Sequence, residues 1–120
     1  MTYLEIANMI SEIKPDGSTS IPFSYRAFDE SEAVAPPFIC YLYTGNVPEP
    51  ADNLNYVRIE ELAIELYTDS KDFALETKVE AVLDSHEMVY SKEETWLDDE
   101  KMQMTTYTMQ TEVQRYGSTE

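Results

Sequence analysis

The chain has 120 residues, of which 24 are Asp or Glu and eight are Lys or Arg, giving a formal charge of -16 at pH 7. This length suits one domain with one core, and the negative charge repels nucleic-acid phosphates, which argues against ordinary nucleic-acid binding. A single cysteine excludes an intrachain disulfide and a cysteine-based zinc cluster. Because no apolar run approaches the ~18 residues of a membrane span, the composition predicts a soluble cytoplasmic protein.

The N-terminal segment predicts an α-helix. Apolar residues from Tyr3 to Ile13 recur at helical spacing, so they share one face. Thr2, with Glu5 three residues later, matches a capping box. The Pro and Gly of the following turn predict that the helix ends near Ile13.

Two strands are predicted next. Residues Ile21–Phe28 alternate between apolar and polar, and Pro22 favours the edge of a sheet because it lacks an amide donor. After a polar loop at Asp29–Ala35, the segment Phe38–Thr44 is rich in β-branched and aromatic residues. That composition predicts a buried central strand.

A long strand at Tyr56–Thr68 is predicted after an exposed loop at Asn46–Asn53. Its apolar residues before position 60 have one parity, and those from Leu62 onward have the other. One additional residue in a strand keeps both sets on the core face, so the sequence predicts a β-bulge at Glu60–Glu61.

The C-terminal third predicts a helix followed by a hairpin. Asp69 or Ser70 is the expected cap of a helix that runs to about Ser85. Two strands, Glu87–Leu97 and Lys101–Gln114, then flank an acidic turn.

This order of elements predicts an α+β fold, with a mainly antiparallel sheet of four to five strands and two helices packed on one face. Residues 1–114 are expected to form a single domain. Residues 115–120 are expected to form a flexible C-terminal tail.

Motifs for nucleotide binding or nucleophilic catalysis are missing from the sequence. Three glycines, at positions 17, 45 and 117, cannot build a P-loop or a dinucleotide fingerprint. The only histidine, His86, precedes Glu87 and offers an acid/base pair, but a polar surface pair is the favoured interpretation. Cys40 is a candidate nucleophile, yet its apolar neighbours favour a packing role.

Clustered carboxylates are candidate metal ligands or catalytic groups. Glu93–Glu94 with Asp98–Glu100 could hold a hard cation, but the spacing lacks the calcium-loop pattern and favours a solvated hairpin tip. Glu60, Glu61 and Glu65 form a possible catalytic set. Alternation places Glu61 and Glu65 opposite the apolar residues, which favours solvated or subunit-facing charge. The sequence therefore predicts no catalytic, cofactor-binding or metal-binding residues, and no enzymatic activity.

Aromatic residues are the most informative feature of the composition. Nine Tyr, four Phe and one Trp exceed what one small core requires, and tyrosine is enriched at protein interfaces. Tyr41 and Tyr43 are expected on one side of their strand. Interface tyrosines and ordinary half-buried sheet residues remain equally supported at this point.

Two segments carry a family resemblance. Pro37–Tyr41 and Ile64–Asp72, followed by the second helix, resemble the tail-terminator and head-tail joining proteins of long-tailed bacteriophages and prophages. The similarity spans roughly residues 1 to 114 and depends on the order of elements together with these segments. The resemblance implies a small α+β subunit of a ring, commonly a hexamer, and it brings no catalytic residues.

The resemblance implies a structural virion assembly protein of the siphovirus type, which caps the tail tube and joins the tail to the head connector. Its expected partners are copies of itself, the tail tube protein and the connector protein, with DNA only as passing cargo and no membrane. The expected location is the virion neck, after assembly in the host cytoplasm. The alternative is an acidic DNA mimic that inhibits a nucleic-acid-binding protein, since carboxylates can substitute for phosphates.

Overall fold

The computed structural model describes residues 1–29, 31–32, 34–47 and 57–114, which form two helices and one five-stranded sheet. In chain order the elements are α1 (Tyr3–Ser11), β1 (Phe23–Tyr25), β2 (Phe38–Val47), β3 (Val57–Thr68), α2 (Phe73–Ser85), β4 (Tyr90–Leu97) and β5 (Met102–Gln114). The predicted α+β fold with a mainly antiparallel sheet is therefore confirmed.

The strands lie in the order β1-β2-β3-β5-β4. Only β1 and β2 are parallel, and every other neighbouring pair is antiparallel. The predicted edge position of the first strand is confirmed, although that strand has three residues rather than eight. The hairpin of β4 and β5 is also confirmed, with β5 inside the sheet and β4 at its second edge.

Helix α1 begins as predicted and ends earlier. The Thr2 hydroxyl accepts the Glu5 N–H at 3.1 Å, and the Glu5 carboxylate accepts the Thr2 N–H at 2.8 Å, which completes the capping box. At the other end, the amides of Glu12 and Ile13 bond to carbonyls three residues back, at 3.1 and 3.0 Å. That tighter last turn ends the helix at Ser11, two residues before the predicted end near Ile13.

Helix α2 ends at Ser85 as predicted, but its predicted cap is wrong. Neither Asp69 nor Ser70 is the N-cap: Asp72 is, and its Oδ1 accepts the Leu75 N–H at 3.0 Å. Asp and Ser are both preferred at the N-cap, so residue type alone does not distinguish Asp72 from Asp69 or Ser70.

The predicted bulge lies in the wrong strand. β3 pairs with β5 without interruption from Val57 to Thr68, so it contains no bulge at Glu60–Glu61. The irregularity is in β2, where Thr44 is the additional residue between the pairs Tyr43↔Leu62 and Gly45↔Glu61. Since β3 alternates regularly, Ile59 and Leu62 lie on opposite faces of the sheet.

One buried cluster joins both helices to alternate positions of the strands. On β3 its members are Leu62, Ile64 and Leu66, and on β5 they include Tyr107. Helix α1 contributes Ile6, Met9 and Ile10, and helix α2 contributes Leu75, Val79 and Leu83. We call the sheet face that carries these strand residues the clustered face. The other face carries Cys40 and the stacked rings of Phe38 and Tyr67, with centroids 4.9 Å apart.

Some predictions fall partly or wholly outside the described residues. These are the beginning of the long strand at Tyr56, most of the loop at Asn46–Asn53, part of the loop at Asp29–Ala35, and the tail at 115–120. Asn46 itself belongs to β2. Among the described residues, neither helix is long and apolar enough to cross a membrane.

The regular alternation of β3 predicts different costs for two matched substitutions. Leu62→Thr should lower the free energy of unfolding by about 3 kcal/mol, because it leaves a cavity and buries a hydroxyl. Ile59→Thr should cost about 1 kcal/mol or less, because Ile59 is only half-buried on the other face. Urea unfolding of both variants measures this difference. Equal costs would contradict the assigned faces.

Candidate functional site

Four tyrosines from three elements line a surface groove of about 490 Å³ near the β1 edge of the sheet. Tyr3 is the first residue of α1, Tyr25 is the last of β1, and Tyr41 and Tyr43 lie two residues apart on β2. Strand alternation puts Tyr41 and Tyr43 on one side of β2, as the sequence predicted. The cap at Thr2 fixes where α1 begins and so where Tyr3 lies. We call this feature the tyrosine groove.

The rings of the tyrosine groove contact one another mainly edge to face. Tyr3 and Tyr43 have centroids 5.1 Å apart at 79°, and Tyr25 and Tyr41 have centroids 5.3 Å apart at 82°. This arrangement sets the positive edge of one ring against the negative face of another. Tyr25 is 43% exposed and the other three rings are half-buried. Contacts among the four rings therefore stabilise the groove, which faces solvent.

The hydroxyl groups differ in their partners. The Tyr3 hydroxyl donates to Oε2 of Glu60 at 2.9 Å, and Glu60 is only 8% exposed. The Tyr25 hydroxyl oxygen accepts the backbone N–H of Tyr43 at 3.2 Å. The Tyr43 hydroxyl is buried and makes no hydrogen bond with the described residues. Burial, and then the nearby Tyr41, raise the pKa of Tyr43, so its phenol stays neutral.

A second polar feature lies where α2 meets β4 and β5. Glu76 of α2 is 2% exposed, and its Oε1 accepts from Nζ of Lys71 at 2.8 Å and from Nζ of Lys92 at 2.9 Å. Lys92 also contacts Glu80 at 2.7 Å, and Lys71 contacts Glu94 at 2.7 Å. We call these five residues the lysine–glutamate network.

Two hydroxyl groups of β5 also donate hydrogen bonds to carboxylates of the network. Thr105 donates to Oε2 of Glu76 at 3.3 Å, and Tyr107 donates to Oε2 of Glu80 at 2.9 Å. Burial is the largest influence on Glu76 and opposes its ionisation. The hydrogen bonds and charges of the two lysines outweigh burial, so the pKa of Glu76 is lowered. Glu76 is thus an ionised carboxylate held between two ammonium groups.

The network has a structural role and not a catalytic one. Hydrogen bonds to Glu80 and Glu76 raise the pKa of Lys92, which keeps the amine protonated and unable to act as a nucleophile. No group of three or more metal-ligating side chains is formed by the residues that the structure describes. The network therefore joins α2 to β4 and β5, and the tyrosine groove is the candidate site.

Cys40 lies outside the tyrosine groove and the network. It is 5% exposed, and burial, followed by the charge of Glu65, raises the pKa of the thiol. A thiol in that setting is a poor nucleophile. The structure agrees with the packing interpretation, although Cys40 lies on the face opposite the main cluster.

The three glutamates considered as a catalytic set are not brought together. Glu61 and Glu65 lie opposite the apolar residues of β3, as predicted, whereas Glu60 lies on the clustered face. The Thr44 hydroxyl donates to Glu61 at 2.7 Å, and the hydroxyl of Tyr67 donates to Glu65 at 3.0 Å. Each carboxylate thus has a local partner on its own side of the sheet.

The other sequence candidates are also dispersed. Nε2 of His86 lies 3.1 Å from a carboxylate oxygen of Glu12, which directly follows α1, so this contact does not pair His86 with its neighbour Glu87. At the hairpin, Asp98 lies 3.5 Å from Lys101, and strand alternation separates Glu93 from Glu94. Glu93 and the acids of the turn are exposed to solvent, whereas Glu94 is paired with Lys71.

Sequence reasoning missed the hydrogen bond of Glu60 with Tyr3 of the groove and the place of Glu76 at the centre of the network. A local signal for Glu76 was available, since it precedes Val79 by three residues and Leu83 by seven and so lies on the apolar face of α2. Glu60 gave no such signal, because its contact with Tyr3 joins residues 57 positions apart.

Comparisons of the chain with protein-family models, with curated proteins and with solved structures found no match.

Removing the charge of Glu76 should destabilise the fold near neutral pH. Glu76→Gln leaves two lysines without their shared carboxylate, so we expect the free energy of unfolding to fall by about 2–3 kcal/mol at pH 7. The loss is not larger because both lysines stay partly hydrated. The matched Glu93→Gln change removes an exposed carboxylate of β4 and should cost about 0.5 kcal/mol or less. Urea unfolding of both variants and the wild type measures these losses.

The same pair of variants tests the pH dependence. The folded-state pKa of Glu76 is lowered, so its contribution is present above its ordinary value of 4.5 and is lost as the pH falls through the folded-state value. The difference between wild type and Glu76→Gln should therefore shrink between pH 5 and pH 3. A difference that stays constant over that range would contradict the role assigned to the ionised carboxylate.

Cys40 should be protected in the folded chain. Because it is buried and its pKa is raised, we expect its reaction with a thiol-specific aromatic disulfide at pH 8 to be about 100-fold slower than in denaturant. Absorbance of the released thiolate measures both rates. Comparable rates would show that Cys40 is accessible.

Proposed function

We propose that this protein is a structural virion assembly subunit, which caps a phage tail tube as a ring and joins the tail to the head connector. Two lines of support are the resemblance of Pro37–Tyr41 and Ile64–Asp72 to tail-terminator and head-tail joining proteins, and the α+β fold that this resemblance implies. The observation that carries the proposal is the tyrosine groove, a surface groove lined by four aromatic side chains.

The charges on β4 support the groove, rather than that strand, as the main assembly surface. β4 is the longer of the two edge strands, and an exposed edge is a template for pairing with another chain. It carries Lys92, Glu93 and Glu94 in succession, and such charges oppose edge-to-edge pairing. A ring built from copies then uses side-chain packing at the opposite end of the sheet, where the tyrosines lie.

The acidic composition suits a ring that DNA crosses without binding. With 24 acidic and eight basic residues, the subunit has a net charge of -16 that repels phosphates. We propose that the side lining the channel is net negative and that DNA is only a passing cargo. The protein would then reside in the neck of the virion after assembly in the host cytoplasm, with the tail tube and connector proteins as its neighbours.

The alternative function as a DNA mimic has less support. A mimic needs unpaired carboxylates in a row at phosphate-like spacing. On the α2–β4 side, Glu76, Glu80 and Glu94 are paired with lysines and so are partly neutralised. No arrangement of the described residues favours that function, and we do not propose it.

Deleting the gene from a phage that encodes this protein tests the proposed role. We expect tails of irregular length that fail to join heads, because no ring ends the tube. Electron microscopy of the lysate measures tail length and the fraction of joined particles. Uniform tails joined to heads at the wild-type frequency would refute the proposal.

Complementation of that deletion tests the part played by the groove. Tyr25→Ala should restore joined particles poorly, whereas Trp96→Ala, a change at the other edge strand of a side chain that is also exposed, should restore them. Folding of both variants is first checked by their unfolding curves. Full complementation by Tyr25→Ala would exclude the groove as the assembly surface.

A further inference from the structure

A small hollow lies where β3 ends and the connection to α2 begins. Its volume is about 190 Å³, and it is lined by Pro37, Thr68, Asp69, Ser70 and Asp72. Thr68 is the last residue of β3, and Asp72 is the N-cap of α2. We call this feature the β3–α2 hollow. The polar side-chain atoms that line it are all oxygens, from two carboxylates and two hydroxyl groups.

The hydroxyl group of Thr68 lacks a hydrogen-bond partner. Thr68 is 4% exposed, and its hydroxyl oxygen is buried and makes no hydrogen bond with the described residues. A buried hydroxyl without a partner is costly, and native structures rarely keep one unless a water, an ion or a functional need accounts for it. Because Thr68 lines the hollow, a ligand bound there can supply the missing partner.

The two carboxylates of the hollow are not neutralised by a nearby cation. Neither Asp69 nor Asp72 forms an ion pair with the described residues. Lys71 lies between them in the sequence, but its Nζ is 2.8 Å from Glu76 and 2.7 Å from Glu94, so its charge is directed to the lysine–glutamate network. The hollow therefore combines two unpaired negative charges with an unpartnered hydroxyl.

We propose that the β3–α2 hollow binds a calcium ion through the carboxylates of Asp69 and Asp72 and the hydroxyl oxygen of Thr68. Carboxylate and water oxygens suit hard divalent cations. The three protein groups supply fewer than the about six to eight oxygens that Ca²⁺ takes, so waters complete the shell. A volume of about 190 Å³ has room for them. With two acidic ligands, the set is smaller than the groups of three that the described residues lack.

Charge and ligand type decide between calcium and other occupants. The first amides of a helix favour an anion, but the two carboxylates repel one, and Asp72 already accepts the amide of Leu75. The lining side chains offer no nitrogen or sulfur, which disfavours zinc and copper. Mg²⁺ demands near-octahedral geometry and loses its water reluctantly, whereas Ca²⁺ accepts irregular sets of oxygens.

This inference does not rest on the proposed function, because no residue of the tyrosine groove lines the hollow. Binding is measured by NMR on the full chain labelled with ¹⁵N. The probe is CaCl₂, added to chelator-treated protein in about 150 mM KCl, which screens non-specific attraction to the net charge of -16. We expect the amide signals of residues 68–72 to shift and to saturate. The dissociation constant should be about 10⁻⁴–10⁻³ M, because affinity falls when few ligands are charged, and MgCl₂ should bind about ten-fold more weakly.

Two variants remove a charge from the hollow and keep the fold. Asp69→Asn changes an exposed side chain, and Asp72→Asn leaves a residue that caps helices about as well as Asp does. Each should raise the dissociation constant for calcium at least five-fold. The matched change Asp99→Asn, at an exposed acid of the hairpin turn, should leave it unchanged.

Thr68→Val separates a ligand from a residue that only packs. In EDTA, this variant should unfold at a higher urea concentration than the wild type, because the unpartnered hydroxyl is gone. Added CaCl₂ should raise its unfolding midpoint by less than it raises that of the wild type, because the variant binds the ion more weakly. A threonine that only packs would give the same gain from calcium in both proteins.

Several results would overturn the inference. Shifts that spread over the acidic surface without saturation would show an ion atmosphere rather than a site. Binding that survives in both Asp69→Asn and Asp72→Asn, or that Asp99→Asn weakens equally, would place the ion elsewhere. Tighter binding of Mg²⁺ would contradict the assignment to calcium. An equal gain from calcium in Thr68→Val would contradict the role given to that hydroxyl.

Discussion

The uninterrupted ladder between β3 and β5 is the constraint on which the rest of the structure depends. It runs from Val57↔Gln114 to Thr68↔Gln103 without a register shift. In a ladder of this kind, side chains two residues apart share a face, and a slip of one residue would exchange the faces. The clustered face therefore carries all three of Leu62, Ile64 and Leu66. Buried residues of both helices belong to the same cluster as these three side chains.

The same ladder places polar groups beside both ends of that row of side chains. Towards the beginning of β3, Glu60 lies on the clustered face and meets Tyr3 of α1. Farther along, Thr105 of β5 lies on that face opposite Leu66 and meets Glu76 of α2. A buried carboxylate is costly unless it is paired or hydrogen-bonded. Glu76 meets this requirement with two lysines, whereas the described partner of Glu60 is a phenol. That contrast separates a network of paired charges at Glu76 from a single carboxylate–phenol hydrogen bond at Glu60.

Local sequence patterns were enough for the features whose residues are close in the chain. The capping box needs only Thr2 and Glu5, and the shared side of Tyr41 and Tyr43 needs only the period of two in a strand. The whole groove was not predictable in this way. Its assembly requires β1 to lie parallel to β2, which sets Tyr25 beside Tyr41, and requires α1 to bring Tyr3 onto Tyr43.

The misplaced bulge shows why such non-local features escape sequence analysis. The change of phase in β3 predicts a bulge only if Val57 and Ile59 belong to the core together with the residues from Leu62 onward. The structure instead leaves Ile59 half-buried on the opposite face, and that choice lets Glu60 reach the clustered face. Apolar side chains tolerate partial exposure, so one isoleucine does not determine a strand's parity when three core residues oppose it.

The bulge in β2 has a consequence for the groove. A bulge bends its strand and increases the local twist. Thr44 is the additional residue, and its hydroxyl donates to Glu61 on the neighbouring strand at 2.7 Å. Tyr43 directly precedes this irregularity, so β2 follows a regular path through Tyr41 and Tyr43 and departs from it immediately afterwards. The sheet is thus regular where the two rings must lie side by side, and irregular just beyond the groove that they line.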